Sequence, residues 1–528
     1  MQKMRRYKPK NQLSFESFKT PFDRHLNREN KWVKLAQTIP WDECAAIYLK
    51  SLSVHTGRPG LDARLAVGAL LIKHMKGLSD RGVVEELSEN LYLQYFVGYS
   101  SFNPNAAFDA SLFVTLRKRM GPDRFDEMNE LIISRALGLE NKDEGGDEGG
   151  DEEKRKELDK KGQQVVENKR PKPEKEPKHK GRLKVDVTVS DQMIVYPTDV
   201  SLLNQSREEL ERLIDQLYKA SERQVKPRTY RRVARGRYLA LAMKKQKRKQ
   251  ALRKTIGQQL NYVRRNIRII NELWDEIEDI RGVLSYRDVK LFWVIQHVYA
   301  QQKKMHREKT KSHPWRIVNL YQPYVRPMPR GKDKAATEFG SQLGVSEFDG
   351  FCRLDHLSWE AYHEGKHDLV MQVERYKKLK GYYPEVVLCD GKYLSRENRR
   401  WLKSKHIRHV GKSLGRAKKL SAYLKRKLKM ERGMRNHIEG KFGQGKNGYE
   451  LNRIRAKRQD TSESWISAIF LVMNLVRWNK ILAVLLLILY HWAVFIAVFI
   501  PDRKQALPQM KGRIKKGRWI NMDLGLPT

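Results

Sequence analysis

The sequence predicts an α/β protein: a mixed sheet with flanking helices, preceded by an all-helical domain and interrupted by a helical insertion. Three observations predict it. Residues 184–190, Lys-Val-Asp-Val-Thr-Val-Ser, alternate apolar and polar side chains as a half-buried strand does. A helical pattern over 358–379 is followed by Pro384-Glu-Val-Val-Leu-Cys-Asp390-Gly, an apolar run that ends in an acid. Helix, then a buried strand ending in Asp, is an α/β pattern that sets functional groups at the strand's C-terminal edge. Residues 1–138 and 205–310 instead repeat apolar residues at helical spacing.

In chain order, the helical domain at 1–138 opens with a helix from Leu61, punctuated before it by Gly57-Arg-Pro-Gly60 and capped after it by Gly77. Ser79 is a good N-cap for a second helix. A third runs from Ser111 to Met120 and ends at Gly121. Short helices joined by turns suit either a helix-turn-helix DNA binder or a helical dimerisation domain. Arg117, Lys118 and Arg119 favour DNA. Residues 139–182 cannot build a core. They are acidic and glycine-rich at 143–153 and basic and proline-rich at 169–180, which predicts a flexible linker.

An α/β core is expected over 183–204 and 311–478. Its strands are 184–190, 193–196, 335–340, 351–356, the run into Asp390, and 406–410. Gly381 is expected to cap the helix at 358–379. The insertion at 205–310 has one apolar stripe and a basic rim, with runs such as Arg231-Arg-Val-Ala-Arg-Gly-Arg237. Phosphate contact and a solvated helix face both fit that rim.

Charge narrows the partner. Lys and Arg number 106 against 62 Asp and Glu, a net charge of +44 over 528 residues. A polyanion is the natural partner, nucleic acid first, although a ribosome-like basic protein shares the signature. Cys44, Cys352 and Cys389 form no Cys-x-x-Cys pair, so zinc and disulfide frameworks are not indicated and a reducing compartment fits. The N-terminus has no apolar stretch of the signal-peptide kind.

The densest chemistry lies in Arg435-Asn-His-Ile-Glu439-Gly-Lys-Phe-Gly-Gln-Gly-Lys446. On a helix, Arg435 and Glu439 share a face. Gly440, Gly443 and Gly445 predict that the helix ends before Lys446, which then reaches back from a loop. A carboxylate beside two cations is a poor general acid and suits a metal ligand next to a phosphate. An ordinary surface ion pair is the alternative. Asp186 sits mid-strand, where a carboxylate is costly unless a cation meets it or it points to solvent. Asp186, Asp390 and Glu439 form one pocket only if the sheet gathers them, and their repulsion then calls for divalent cations. Two Mg²⁺ ions would serve in-line phosphoryl transfer. Asp191, Asp199 and Asp355 are rivals.

At these residues the chain resembles the DDE transposases of bacterial insertion sequences, in the branch whose last motif is Tyr-x2-Arg-x3-Glu-x6-Lys. Arg435, Glu439 and Lys446 match that spacing, and Arg432 stands at the tyrosine position. Asp186-Val-Thr-Val with Tyr196-Pro-Thr-Asp-Val-Ser-Leu-Leu-Asn204 matches the first motif. Cys389-Asp390-Gly-Lys-Tyr393 with Arg396-Glu-Asn398 matches the second. Further matches are Gly57–Gly60, Leu78-Ser-Asp-Arg81, Arg326-Pro-Met-Pro-Arg-Gly-Lys332, Glu338-Phe-Gly340 and Asn474-Leu-Val-Arg477.

The resemblance implies a ribonuclease-H-like core in which Asp186, Asp390 and Glu439 bind two Mg²⁺ ions, with Mn²⁺ as an acceptable substitute. It implies DNA cleavage at element ends and strand transfer into target DNA. Arg435, Lys446 and Lys441 are the expected DNA contacts. The N-terminal helices are expected on the terminal inverted repeats, the insertion on DNA, and the protein as a homodimer on DNA in the cytoplasm, with the nucleoid. A catalytically silent, transposase-derived DNA-binding protein is the alternative. Within 479–528, Ile481–Ile500 is apolar and long enough for a bilayer. For a DNA-cutting enzyme with a basic tail, a buried or subunit-pairing helix is expected there rather than a membrane span.

Overall fold

A computed structural model describes residues 26–52, 60–105, 107–138, 179–329, 337–411 and 421–499. The expectations for Gly57-Arg-Pro, for the linker over 139–178, for Arg330-Gly-Lys332 and for the basic tail lie outside these residues. The chain forms two compact units, Met1–Asn479 and Lys480–Thr528.

Among the described residues, the first unit opens with the helices α1 (Lys31–Thr38), α2 (Trp41–Leu49), α3 (Ala63–Lys76), α4 (Asp80–Glu89), α5 (Leu91–Phe96) and α6 (Leu112–Leu137). Local chemistry sets their ends. The Asp62 carboxylate accepts from the Arg64 and Leu65 amides at 2.9 and 3.1 Å, and Gly77 closes α3 at φ 65°. The Ser79 hydroxyl accepts from the Gly82 amide at 3.0 Å. Gly121, at φ 60° and ψ 171°, breaks α6, and Pro122 restarts it.

Strand β1 (Arg182–Asp191) follows, then α7 (Asp199–Ala220), α8 (Arg231–Ala242), α9 (Lys249–Glu276), α10 (Ile280–Val283) and α11 (Tyr286–Glu308). These helices close around their own core, with Leu210, Leu213, Leu217, Val263, Ile270 and Ile295 at its centre. Next come β2 (Arg326–Pro329), β3 (Thr337–Phe348), β4 (Phe351–Ser358), α12 (Glu364–His367), α13 (Leu369–Lys380) and β5 (Val386–Leu388). The last elements are α14 (Arg396–Ser404), β6 (Arg408–Val410), α15 (Ala422–Gly448) and α16 (Gln459–Phe499).

The strands form one mixed sheet in the order β2-β3-β1-β5-β6, with β4 also paired to β3. β1 runs antiparallel to β3 and parallel to β5, and β5 parallel to β6. This mixed α/β arrangement fits a ribonuclease-H-like transposase core. The first part of α16 serves two cores. Ile466, Ile469, Phe470 and Met473 pack with Leu343, Val345 and Cys352 of the sheet, while Ala468, Leu471, Val472 and Leu475 join the core of the N-terminal helices.

Four sequence expectations are corrected. Residues 193–196 form no strand: pairing stops at the Gln192–Ile454 bridge and the Met193 amide, which donates to the Ile454 carbonyl at 2.9 Å, and Val195 and Tyr196 beyond it are exposed. The single helix expected over 358–379 is two shorter ones, because β4 extends to Ser358 and Asp368 separates α12 from α13. Arg117 is not a free DNA contact. It is buried, and its guanidinium grips both Asp80 oxygens at 2.9 and 2.8 Å. In the second unit, Val484–Tyr490 and Trp492 are all exposed, which sets aside the buried half of the expectation for that stretch of α16 and leaves the subunit-pairing half untested.

Candidate active site

Parallel pairing of β1 with β5 brings the first two acids to one place. Lys184 pairs with Leu388. Two residues further on stand Asp186, within β1, and Asp390, just past the end of β5, near enough for the charge of Asp390 to act on Asp186. Asp390 stays extended, at φ −71° and ψ 161°, and its carboxylate accepts from the Gly391 amide at 2.7 Å. It stands where β5 gives way to the turn Gly391–Tyr393.

Helix α15 supplies the third acid. It packs on β1, β5 and β6. Leu428 and Met434 pack on Val386, Leu388 and Val410, and Ile438 and Gly445 are buried. That packing fixes its rotation and carries it unbroken to Gly448, so the fraying expected before Lys446 does not occur. Gly440 and Gly443 have nothing within 4 Å of where a Cβ would stand, and at Gly445 the Leu451 Cδ2 lies 3.1 Å from that point. Each mid-helix glycine costs roughly 1 kcal/mol. The buried face outweighs that cost. Lys446 is therefore helical, eleven residues or about three turns from Arg435, on the same side.

Arg435 is the hub. One amino group lies 3.0 Å from Asp186 Oδ2 and the other 3.1 Å from Glu439 Oε1. Asp186 Oδ1 accepts from the Val187 amide at 2.9 Å. Burial pushes the Asp186 carboxyl above its ordinary pKa, and the charges of Asp390 and Glu439 push the same way. The Val187 amide and Arg435 oppose them.

The remaining candidates fall elsewhere. Lys446 Nζ is 3.6 Å from Glu338, which lies seven residues along β3 from Val345, the partner of Asp186, so Lys446 stands apart from the three acids along α15. Lys441 does not join it. It lies two residues past Glu439, on another side of the helix, and donates to Gln444 at 3.5 Å. Asp199 accepts from Gln302 and Arg316 at 2.8 and 2.6 Å. Asp355 is buried against Arg353 and Gln372. Asp191 is an odd number of residues from Asp186, so it faces the other side of β1.

Two supports went unread in the sequence. Asn398 of α14 donates to the Tyr393 carbonyl at 2.8 Å and to the Gly365 carbonyl, which pins the turn after Asp390 to α12. Asp368, fully buried, accepts from Tyr362 at 2.6 Å and pairs with His356 at 3.0 Å. Asp368 also abuts Gly344, where a Cβ would meet its Oδ2 at 2.4 Å. Asn398 falls within the second matched motif, but what it and Asp368 hold depends on segments brought together by the fold.

Among the described residues, no three Asp, Glu, His or Cys side chains are close enough to hold one metal ion. Arg435 is instead the counter-ion between Asp186 and Glu439. The donor chemistry nevertheless fits a divalent cation. The acids are hard oxygen donors, and Asp390 and Glu439 lie close enough for their charges to add to the burial that raises the Asp186 carboxyl.

Comparison with known proteins gives the same direction. Residues 20–119 match the family described as Transposase domain (DUF772), and residues 387–476 match the Transposase DDE domain. The second match includes Asp390, Arg435, Glu439 and Lys446. A relative from Rhizobium meliloti, "Uncharacterized protein ORF8 in nfe locus", is 37% identical over 123 residues, which is 23% of this chain and 58% of that relative. The chain thus spans little more than half the length of that relative. No solved structure matches significantly. DDE transposase domains generally use divalent metal ions and act on DNA. The two family matches together support an insertion-sequence DDE transposase.

Proposed function

We propose that this chain is a cut-and-paste transposase of the Tyr-Arg-Glu-Lys branch, cleaving DNA at its element's ends and transferring those ends into target DNA. The observation that carries the reading is the link from β1 to α15: one guanidinium bridges Asp186 and Glu439, with Asp390 two residues past the end of the neighbouring β5.

In this reading Asp186, Asp390 and Glu439 hold two Mg²⁺ ions, or Mn²⁺ in their place. Such ions activate an attacking oxygen and stabilise the leaving one. The chain's own residues do the rest. Asn398 and the Gly391–Tyr393 turn fix Asp390, and the Val187 amide fixes Asp186. Arg435 and Lys446 would each hold a phosphate oxygen of the DNA backbone. The N-terminal helices read the terminal inverted repeats, the α8–α9 rim holds DNA nonspecifically, and two protomers pair on DNA in the cytoplasm.

The test is nicking of a supercoiled plasmid that carries the element's ends, in Mg²⁺. Wild type nicks it, and Asp390→Asn loses nicking while keeping DNA affinity. Undiminished nicking by Asp390→Asn overturns the site assignment. Binding without nicking by wild type leaves the silent DNA-binding protein.

A further inference from the structure

The first half of α15 carries a second surface that the acids do not use. Lys425, Arg426, Lys429 and Arg432 are exposed. Among the described residues, the ion pairs of α15 use Glu431, Arg435, Glu439 and Lys446, and none of these four. Glu431, the acid nearest them, is turned inward. It is 2% exposed and lies 2.7 Å from Arg408. The outer face is left with one sign of charge.

Spacing aligns that charge with the site. Lys425, Lys429 and Arg432 follow one another at four and three residues, which stacks them on one side of the helix. Glu439 comes seven residues after Arg432, two turns further along the same stripe. From Lys425 to Glu439 the helix advances about 21 Å, roughly the rise of six base pairs. Like charges at these spacings weaken an isolated helix by a few tenths of a kcal/mol per pair. A polyanion lying along the stripe removes that penalty. Arg432 also stands where the resembled branch has tyrosine, so this chain adds a cation beside its acids.

We propose that this stripe is a docking track for the phosphate backbone of duplex DNA beside the bond to be cut. The proposal rests on the transposase reading for its substrate. It concerns a different set of side chains, and its test does not need cleavage.

The test uses the full chain and a random-sequence DNA duplex, with affinity measured across a salt series. In a variant carrying Lys425→Gln, Arg426→Gln, Lys429→Gln and Arg432→Gln, the slope of log affinity against log salt becomes shallower by about three to four units. An unchanged slope overturns the track. Lys425→Arg with Lys429→Arg keeps charge and keeps the wild-type slope; a shallower slope there also overturns it, since charge would then not be the cause. If wild type fails to nick its element ends while the four-site variant still shows the shallower slope, the transposase reading falls and the track stands.

Discussion

Asp80 holds two buried cations at once. Lys73 Nζ lies 2.8 Å from one of its oxygens and Arg117 takes both, and Lys73 and Arg117 are each almost fully buried. Both cations also lie over the Trp465 ring, at 4.4 and 5.4 Å, so the acid ties α3, α4 and α6 to α16. Removing one partner of a buried pair leaves charge uncompensated. Asp80→Ala should therefore cost about 3–5 kcal/mol in denaturant unfolding. Arg117 and Lys73 hold the Asp80 carboxyl below its ordinary pKa against the effect of burial. A depressed carboxylate stabilises the fold above its unfolded pKa, about 4, and that contribution fades as pH falls through the folded value. Asp126 has the opposite sign. Burial, with Glu130 beside it, pushes its pKa up to about 6. Its charge penalises the fold between about pH 4 and 6 and fully above that. Asp126→Asn should raise the melting temperature near neutral pH by about 2–4 °C and leave it unchanged below pH 4, followed by thermal melts across pH.

The elements separate what the sequence discloses from what it does not. Alternation over 184–190 was enough to place β1, and the apolar run ending at Asp390 was enough to place β5, because each pattern is a direct imprint of burial. Residues 193–196 have the same strand-forming composition, but a strand needs a partner and pairing stops at Ile454. Composition also misled over α15. Its glycines read as a stop, yet their helical conformation is held by contacts of Ile438, Met434 and Gly445 that sit far away in sequence. Gly440→Ala tests that account: with open space at the Cβ, it should stabilise the protein by up to about 1 kcal/mol. Destabilisation in chemical unfolding would show the helix to be strained there. The three acids were legible from pattern and resemblance together. Among their rivals, Asp199 and Asp355 are engaged by partners visible only in space, Arg316 and Arg353.

At the scale of the whole molecule, two features await an occupant. One is the apolar stretch of α16. The helix over Gln459–Trp492 is long and apolar enough to cross a bilayer. Its exposed Leu485–Leu489 run wraps every side of the helix and needs cover. Under the paired-protomer reading, light scattering gives a dimer, and Leu486→Lys with Leu489→Lys gives a monomer. Recovery in the membrane pellet after a high-salt wash would contradict it. The other is the acid group. It joins a first strand, a fourth-position strand end and a late helix through one sheet register and one guanidinium. If it works as a unit, no acid is dispensable. Titration of the full chain with Mn²⁺, read by electron paramagnetic resonance, measures this without any DNA. Wild type should bind the ion, and Asp186→Asn, Asp390→Asn and Glu439→Gln should each weaken binding at least tenfold. Wild-type affinity in any one of the three would contradict a shared site.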